Sequence, residues 1–170
     1  MILTSIILLI LLFGVDILSK YLAQSMLVGK DIPILGDWLG LSYATNDGGP
    51  YGVFGGNIVL LIIASLVALL LIAFSIYYFR KTKLASIALS IILAGALGNV
   101  YDRIVFGYVR DMIRVSIGDF GLTNFVCNIA DIYLWIGVIM FAIILLFFHK
   151  EDKVITKDAE NQSDTDDVHN

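Results

Sequence analysis

Two aspartates are set among apolar neighbours in a way that could do chemistry. Asp111 lies in Tyr108-Val109-Arg110-Asp111-Met112-Ile113, and Asp131 closes Cys127-Asn128-Ile129-Ala130-Asp131. Two carboxyls held close in a partly dry site cannot both ionise easily, so they tend to share one proton. The ionised one can take a proton from water. The protonated one can donate to a peptide carbonyl as it becomes tetrahedral. Such a pair hydrolyses an amide with no metal and no covalent intermediate. The alternative is two unrelated carboxylates, one solvated and one capping a helix. On spacing alone the second reading is preferred, since separation along the sequence says nothing of distance in space.

Three other groups of polar residues interrupt apolar sequence. Asp16 and Lys20 are spaced i, i+4, share a helix face and can pair, which by itself needs no more than a structural ion pair. Asn46-Asp47-Gly48-Gly49-Pro50-Tyr51-Gly52 has the composition of a tight turn. The Asn46 amide also offers a peptide backbone both a donor and an acceptor. In Gly95-Ala96-Leu97-Gly98-Asn99-Val100-Tyr101-Asp102-Arg103 the glycines permit close helix packing. Packing does not account for Asn99, Asp102 and Arg103 arriving together.

Other chemistries lack their residues. No Gly-x-Ser-x-Gly elbow, P-loop or dinucleotide fingerprint occurs. No histidine is placed to activate a Ser or Cys, since His149 and His169 follow the last apolar run. One cysteine, Cys127, supports neither a disulfide within the chain nor a thiolate metal site. The expectation is therefore no metal and no cofactor. The basic residues are too few and scattered for a nucleic-acid surface.

The elements that must carry these residues are membrane spans. Of 170 residues, 59% are hydrophobic and 15% charged, and the mean hydropathy is +0.90. A soluble domain of this size could not hide that much apolar surface, whereas lipid can solvate it. Apolar runs at Ile2–Leu27, Ile58–Phe79, Leu84–Val100 and Ile132–Phe148 each approach or exceed the ~20 residues a spanning helix needs. The first run has no basic leader and carries Asp16 and Lys20, so it reads as a retained helix. The short basic loop Arg80-Lys81-Thr82-Lys83 points to the cytoplasm. Both termini then lie there too, with residues 28–57 and 102–131 outside. Arg103, Arg110 and Arg114 run against that rule unless they have partners on the outer side.

Ile32–Leu35 and Leu39–Thr45 around Gly36-Asp37, and Val115–Ile117 and Phe120–Leu122 around Gly118-Asp119, read as short strands. The expected fold class is an all-α integral membrane protein, with four transmembrane helices and a small extended β platform on the outer side. Residues 1–150 form the membrane-embedded domain. Residues 151–170 hold seven acids and two bases and read as a disordered acidic cytoplasmic tail. Three functions fit this frame. One is a peptidase at the outer membrane edge. The second is a small proton- or ion-coupled transporter relaying through Asp16, Lys20, Asp102 and Asp131. The third is a structural subunit that binds a partner through its tail.

Taken in order over about residues 14–137, these blocks resemble the lipoprotein signal peptidases, the type II signal peptidases of bacteria. Asp16-Ile17-Leu18-Ser19-Lys20 is similar to the family's D-x-x-[ST]-K block, and Asn46-Asp47-Gly48 with Gly52 to its N-x-G…G block. Gly95–Arg103 matches G-x-x-G-N-x-x-D-R, Val109-Arg110-Asp111 falls at V-x-D, and Asn128-Ile129-Ala130-Asp131 at N-x-A-D. The resemblance implies an aspartyl endopeptidase of the bacterial cytoplasmic membrane, working near the outer face as a monomer. Its substrate would be a lipid-modified prolipoprotein, cut just before a cysteine that carries a diacylglyceryl group, with membrane lipids as the other partner. It implies Asp111 and Asp131 as the catalytic dyad. Asp16, Lys20, Asn46, Gly48, Asn99, Asp102, Arg103, Asn128 and Ala130 would line or brace the site, with Arg103 and Asn46 holding the substrate backbone. The chain departs from the family pattern at Gly49-Pro50-Tyr51, Arg110, Met112 and Cys127, around the dyad but not at it.

Overall fold

Each apolar run becomes a long helix in the computed structural model, which describes residues 2–47, 57–79, 81–116 and 125–147. The helices are α1 Ile2–Met26, α2 Ile58–Tyr78, α3 Lys83–Phe106 and α4 Ile129–Phe147, of 19 to 25 residues. At about 1.5 Å per residue all four are long enough to cross a hydrocarbon core. Strands β1 Asp31–Leu35 and β2 Leu39–Asn46 lie between α1 and α2, and β3 Val109–Val115 and β4 Phe125–Cys127 between α3 and α4. Gly48, Gly49-Pro50-Tyr51, Gly52, Arg80, the Gly118-Asp119 turn and the 151–170 tail lie outside the described residues.

The packing inverts that of a soluble protein. On α1 the buried residues are Ser5, Asp16, Lys20 and Ala23, while Ile6, Ile7, Ile10, Leu11 and Leu18 are exposed. On α2 only Leu61 is buried. The hydrophobic surface faces outward, where lipid would meet it, and the polar groups face the interior. The inner helix is α3, with half of its residues buried, including Asn99 and Asp102.

Small residues let the helices meet. A side chain at Gly95 would put its Cβ 2.5 Å from the Ala130 carbonyl oxygen, and one at Gly137 would come 2.5 Å from Ile92 Cγ1. The α3 and α4 backbones are therefore nearly in contact, as small-residue seams permit. At the other end of this seam Ala85, Ala88 and Ile144 pack with Phe79, Met140 and Phe141.

Two helix ends differ from the hydropathy reading, and both differences move site residues. The third span was expected to finish at Val100 but continues to Phe106, where Gly107 at φ 79° closes it with its N–H on Arg103 O. Gly107 can take this left-handed cap without a Cβ penalty. Asn99, Asp102 and Arg103 lower the hydropathy of that end without breaking the helix. The fourth span begins at Ile129 rather than Ile132, so Asp131 sits inside its first turn. Asp111 is at no span end at all: it lies in β3, an interior strand of the sheet.

The sheet is antiparallel in the order β1-β2-β3-β4. Val115 pairs with Phe125 across β3 and β4, and the Phe120–Leu122 segment expected as a strand from sequence lies outside the described residues. Leu41 pairs with Ile113 but Ala44 with Asp111, which places one extra β2 residue at Ser42–Tyr43. Such a bulge shifts which face the following residues occupy. Past it, Ala44 stands opposite Asp111, and Asn46 returns to the Asp111 face. The sheet docks on the end of α1 through Met112 against Ala23 and Leu27, flanked by Leu41, Tyr43 and Ile113.

Candidate active site

Asp131 is held by the start of its own helix. Asn128 is the N-cap of α4, and its Oδ1 accepts the N–H of Asp131 at 3.0 Å. In return Asp131 Oδ2 accepts the N–H of Asn128 at 3.1 Å. This reciprocal pair is a capping box built from Asn and Asp, and it satisfies two N–H groups that a helix start leaves open. The intervening Ala130 N–H is taken by Asp16 Oδ1 at 3.0 Å, which ties α1 to α4. The exposed N–H dipoles of a first helical turn favour negative charge there.

Asp111 reaches the same place from the sheet. Its Oδ1 accepts from Asn128 Nδ2 at 2.6 Å, and its Oδ2 from Asn46 Nδ2 at 3.3 Å. Asn128, fully buried, therefore holds both carboxyls, one through its side chain and one through its backbone. A further amide spans the site, since Asn99 Nδ2 donates to Asp131 Oδ1 at 2.8 Å. Burial, followed by the nearby charge of Asp131, pushes the Asp111 carboxyl up to about 7. Near neutral pH the Asp111 carboxyl can therefore still hold a proton.

Beneath the carboxyls lies a buried chain of charges. Lys20 Nζ is 2.8 Å from Asp16 Oδ2, 3.7 Å from Asp102 Oδ2 and 3.0 Å from Asn99 Oδ1. Lys20, Asp16 and Asp102 are all fully buried, so each depends on the others for its charge. Asp102 is taken up by Arg110: Nη2 donates to Oδ1 at 2.7 Å, and Nε to Oδ2 at 3.2 Å. Arg103 Nη1 reaches Asn99 O at 3.5 Å, and its buried Nε has no hydrogen-bond partner among the described residues. With a proton on Asp111, the cations Lys20, Arg103 and Arg110 balance the carboxylates Asp16, Asp102 and Asp131. The site is then neutral overall, which a low-dielectric setting favours.

The fold brings together Asp16, Lys20, Asn46, Asn99, Asp102, Arg103, Asp111, Asn128, Ala130 and Asp131, while Gly48 lies outside the described residues. Arg110 and Arg114, which ran against the charge rule, both have partners among the described residues. Arg110 is paired as above, and Arg114 binds Asp31 at 2.8 Å, Asp37 O and Ser116. Gln24, which accepts from Arg110 Nη1 at 3.2 Å, was missed. Its signal was present: Asp16, Lys20 and Gln24 form one i, i+4, i+8 stripe on an apolar helix. Cys127 adjoins the site, but burial and then the Asp131 and Asp111 charges push its thiol up to about 11, so it stays an unreactive thiol. Among the described residues, no group of three or more His, Cys, Asp or Glu is arranged to hold a metal ion.

Residues 8–147 match the family model for signal peptidase (SPase) II. The chain belongs to the signal peptidase II family. It is similar to the lipoprotein signal peptidase of Clostridium acetobutylicum, with 40% identity over 141 residues, 82% of this chain and 90% of the relative. The lipoprotein signal peptidase of Clostridioides difficile is 34% identical over 152 residues, 87% of this chain and 98% of the relative. A solved bacterial membrane enzyme aligns with a TM-score of 0.72 and 32% identity, over 84% of this chain and 87% of that one. As a signal peptidase II relative with four spanning helices, the chain is a multi-pass membrane peptidase. The comparisons give the transporter alternative no support.

Proposed function

We propose that the chain is an aspartyl endopeptidase that removes the signal peptide from diacylglyceryl-modified prolipoproteins, with Asp111 and Asp131 as its dyad. The observation that carries this reading is Asn128, which holds both carboxyls in one site although they come from a strand and a helix. Asp131 takes a proton from a water between the carboxyls, and that water attacks the scissile carbonyl. Asp111 gives its proton to the carbonyl oxygen as the carbon becomes tetrahedral. Collapse of that intermediate passes a proton to the leaving nitrogen and returns the dyad to one shared proton. Asn46 and the unpaired Arg103 Nε are the donors to hold the substrate backbone. Asp16, Lys20, Asn99, Asp102 and Ala130 brace the site, and Gly48 is assigned to it by its place in the N-x-G block.

The substrate is itself an apolar helix with an acyl anchor, so it arrives by lateral diffusion from lipid. A site where sheet meets span ends can receive both an acyl chain and a water. On this reading the enzyme is a monomer in the bacterial cytoplasmic membrane. Its site lies near the outer face and both termini are cytoplasmic, in keeping with the basic 80–83 loop. Residues 1–150 form the peptidase domain and 151–170 a tail outside it.

The test is cleavage of a lipid-modified prolipoprotein by the purified protein. Asp111→Asn and Asp131→Asn should each lower turnover by about 10²–10⁴-fold. Near-normal turnover by either variant would remove it from the dyad. Cleavage of the unlipidated precursor at an equal rate would refute the lipid-dependent substrate.

A further inference from the structure

Arg110 is bound to two helices and to no substrate-facing atom. Its backbone N–H donates to Asp102 Oδ2 at 2.9 Å, alongside the two guanidinium bonds to the same carboxylate. Its Nη1 reaches Gln24 on α1, and its guanidinium carbon lies 4.3 Å from the centre of the Phe106 ring on α3. Arg110 is 3% exposed and immediately precedes Asp111. Successive strand residues face opposite sides. Whatever fixes residue 110 against the helices therefore fixes how β3 presents Asp111 on its other side.

We propose that Arg110 is a positioning residue of the peptidase reaction: its clamp on Asp102, Gln24 and Phe106 sets Asp111 at the height and angle needed to work with Asp131. The inference rests on the dyad reading above. A chain of contacts leads from Arg110 to the Asp131 carboxyl. Arg110 binds Asp102, Asp102 faces Lys20 at 3.7 Å, Lys20 donates to Asn99, and Asn99 donates to Asp131. Asn46 and Asn128 aim the Asp111 carboxyl, whereas Arg110 holds the backbone that carries it. This residue is one of the chain's departures from the family pattern, so its role follows from the contacts and not from the motif. An ion pair that merely stabilised the fold would lower the unfolding midpoint and leave turnover per folded molecule intact.

The experiment compares Arg110→Gln, Arg110→Lys and Asp111→Asn with the wild-type full-length chain in lipid or mild detergent. kcat and KM are measured on a lipid-modified prolipoprotein and normalised to the folded fraction. A misplacement near 1 Å costs up to about 10²-fold in rate. Arg110→Gln should lower kcat by about 10–100-fold with KM within about twofold, and Arg110→Lys should recover part of that loss because an ammonium still pairs with Asp102. Wild-type kcat in Arg110→Gln, or a change confined to KM, would overturn the proposal. Should Arg110→Gln fail to fold, the Asp102→Asn/Arg110→Met double variant removes both charges together. A folded double variant with wild-type kcat would equally overturn it. Lowered kcat in both it and Arg110→Lys, which keeps Asp102, would support it, and normal kcat in Arg110→Lys would assign the loss to Asp102 and overturn it. The Asp111→Asn arm separates the two readings. If that variant cleaves normally the dyad itself is wrong, and if it is dead while Arg110→Gln is unimpaired only the positioning role is wrong.

Discussion

Gly98→Ala is the sharpest probe of how this site is held. A methyl group there would overlap Asp16 Oδ2 and stand 3.0 Å from Asp16 Cγ. Comfortable carbon–carbon contact is about 3.5 Å, so the carboxyl carbon must retreat by ~0.5 Å and the oxygen by more. Asp16 cannot then keep both its 3.0 Å bond from Ala130 N and its 2.8 Å pairing with Lys20. One lost hydrogen bond to a buried charge costs about 1.5–3 kcal/mol, and a fully broken buried pair about 3–5 kcal/mol. The better helix propensity of alanine offsets about 1 kcal/mol. The expected net loss is about 0.5–4 kcal/mol, which at about 2–4 °C per kcal/mol for a chain of this size lowers the unfolding midpoint by about 1–16 °C. Turnover should also fall, because the displaced Ala130 contact starts the helix that carries Asp131. Gly14→Ala is the matched control: nothing lies within 4 Å of a Cβ there, so stability and turnover should hold or improve slightly. In an Asp16→Ala background, adding Gly98→Ala should cost no more than about 0.5 kcal/mol further. Equal midpoints and turnover for Gly98→Ala and Gly14→Ala would show that the close approach to Asp16 does not support the site.

On the proposed dyad, turnover of the wild type should fall as pH rises through about 7, as Asp111 loses the proton assigned to it. The same ionisation affects stability: a carboxyl whose folded pKa is raised stabilises the fold below its unfolded value near ~3.9 and loses that contribution as pH climbs to about 7. Asp111→Asn should flatten the stability profile across that window, as read from unfolding midpoints, and an unchanged profile would deny Asp111 its raised pKa. Asn128→Ala removes the α4 cap and the amide between the carboxyls. It should cost about 0.5–2 kcal/mol from the cap alone, and should lower kcat more than that loss of stability explains. Deletion of 151–170, which follows the end of the family match at 147, should leave cleavage largely intact, and a large loss would give the acidic tail a role.

The sequence announced the spans and the site residues for different reasons. Twenty-residue apolar runs are a local signal, and all four helices formed where they stood. Their ends were less legible because hydropathy treats Asn99, Asp102, Arg103 and Asp131 as interruptions. Asp102 and Asp131 find partners inside the bundle, so the helices run through them. The α4 start could have been read directly, since Asn128-x-x-Asp131 has the spacing of a capping box ahead of an apolar run. The proposed dyad needed the family resemblance, because nothing local says that a strand and a helix end will meet. The partners of Arg110 and Arg114 were beyond reach for the same reason. Gln24 and Asp31 are 86 and 83 residues away along the chain, and spacing carries no information at that range. The β2 bulge that returns Asn46 to the Asp111 face left no mark in composition at all.

The capping box has a consequence for when this protein can act. Asn128 and Asp131 join each other only once α4 has wound its first turn, and that turn is also what Asp16 recognises through Ala130. A nascent chain whose final span is still in the ribosome or translocon carries Asp111 but has no partner for it. On the proposed dyad, proteolytic competence therefore arrives with the last helix inserted, and a half-made copy is harmless to the precursors around it.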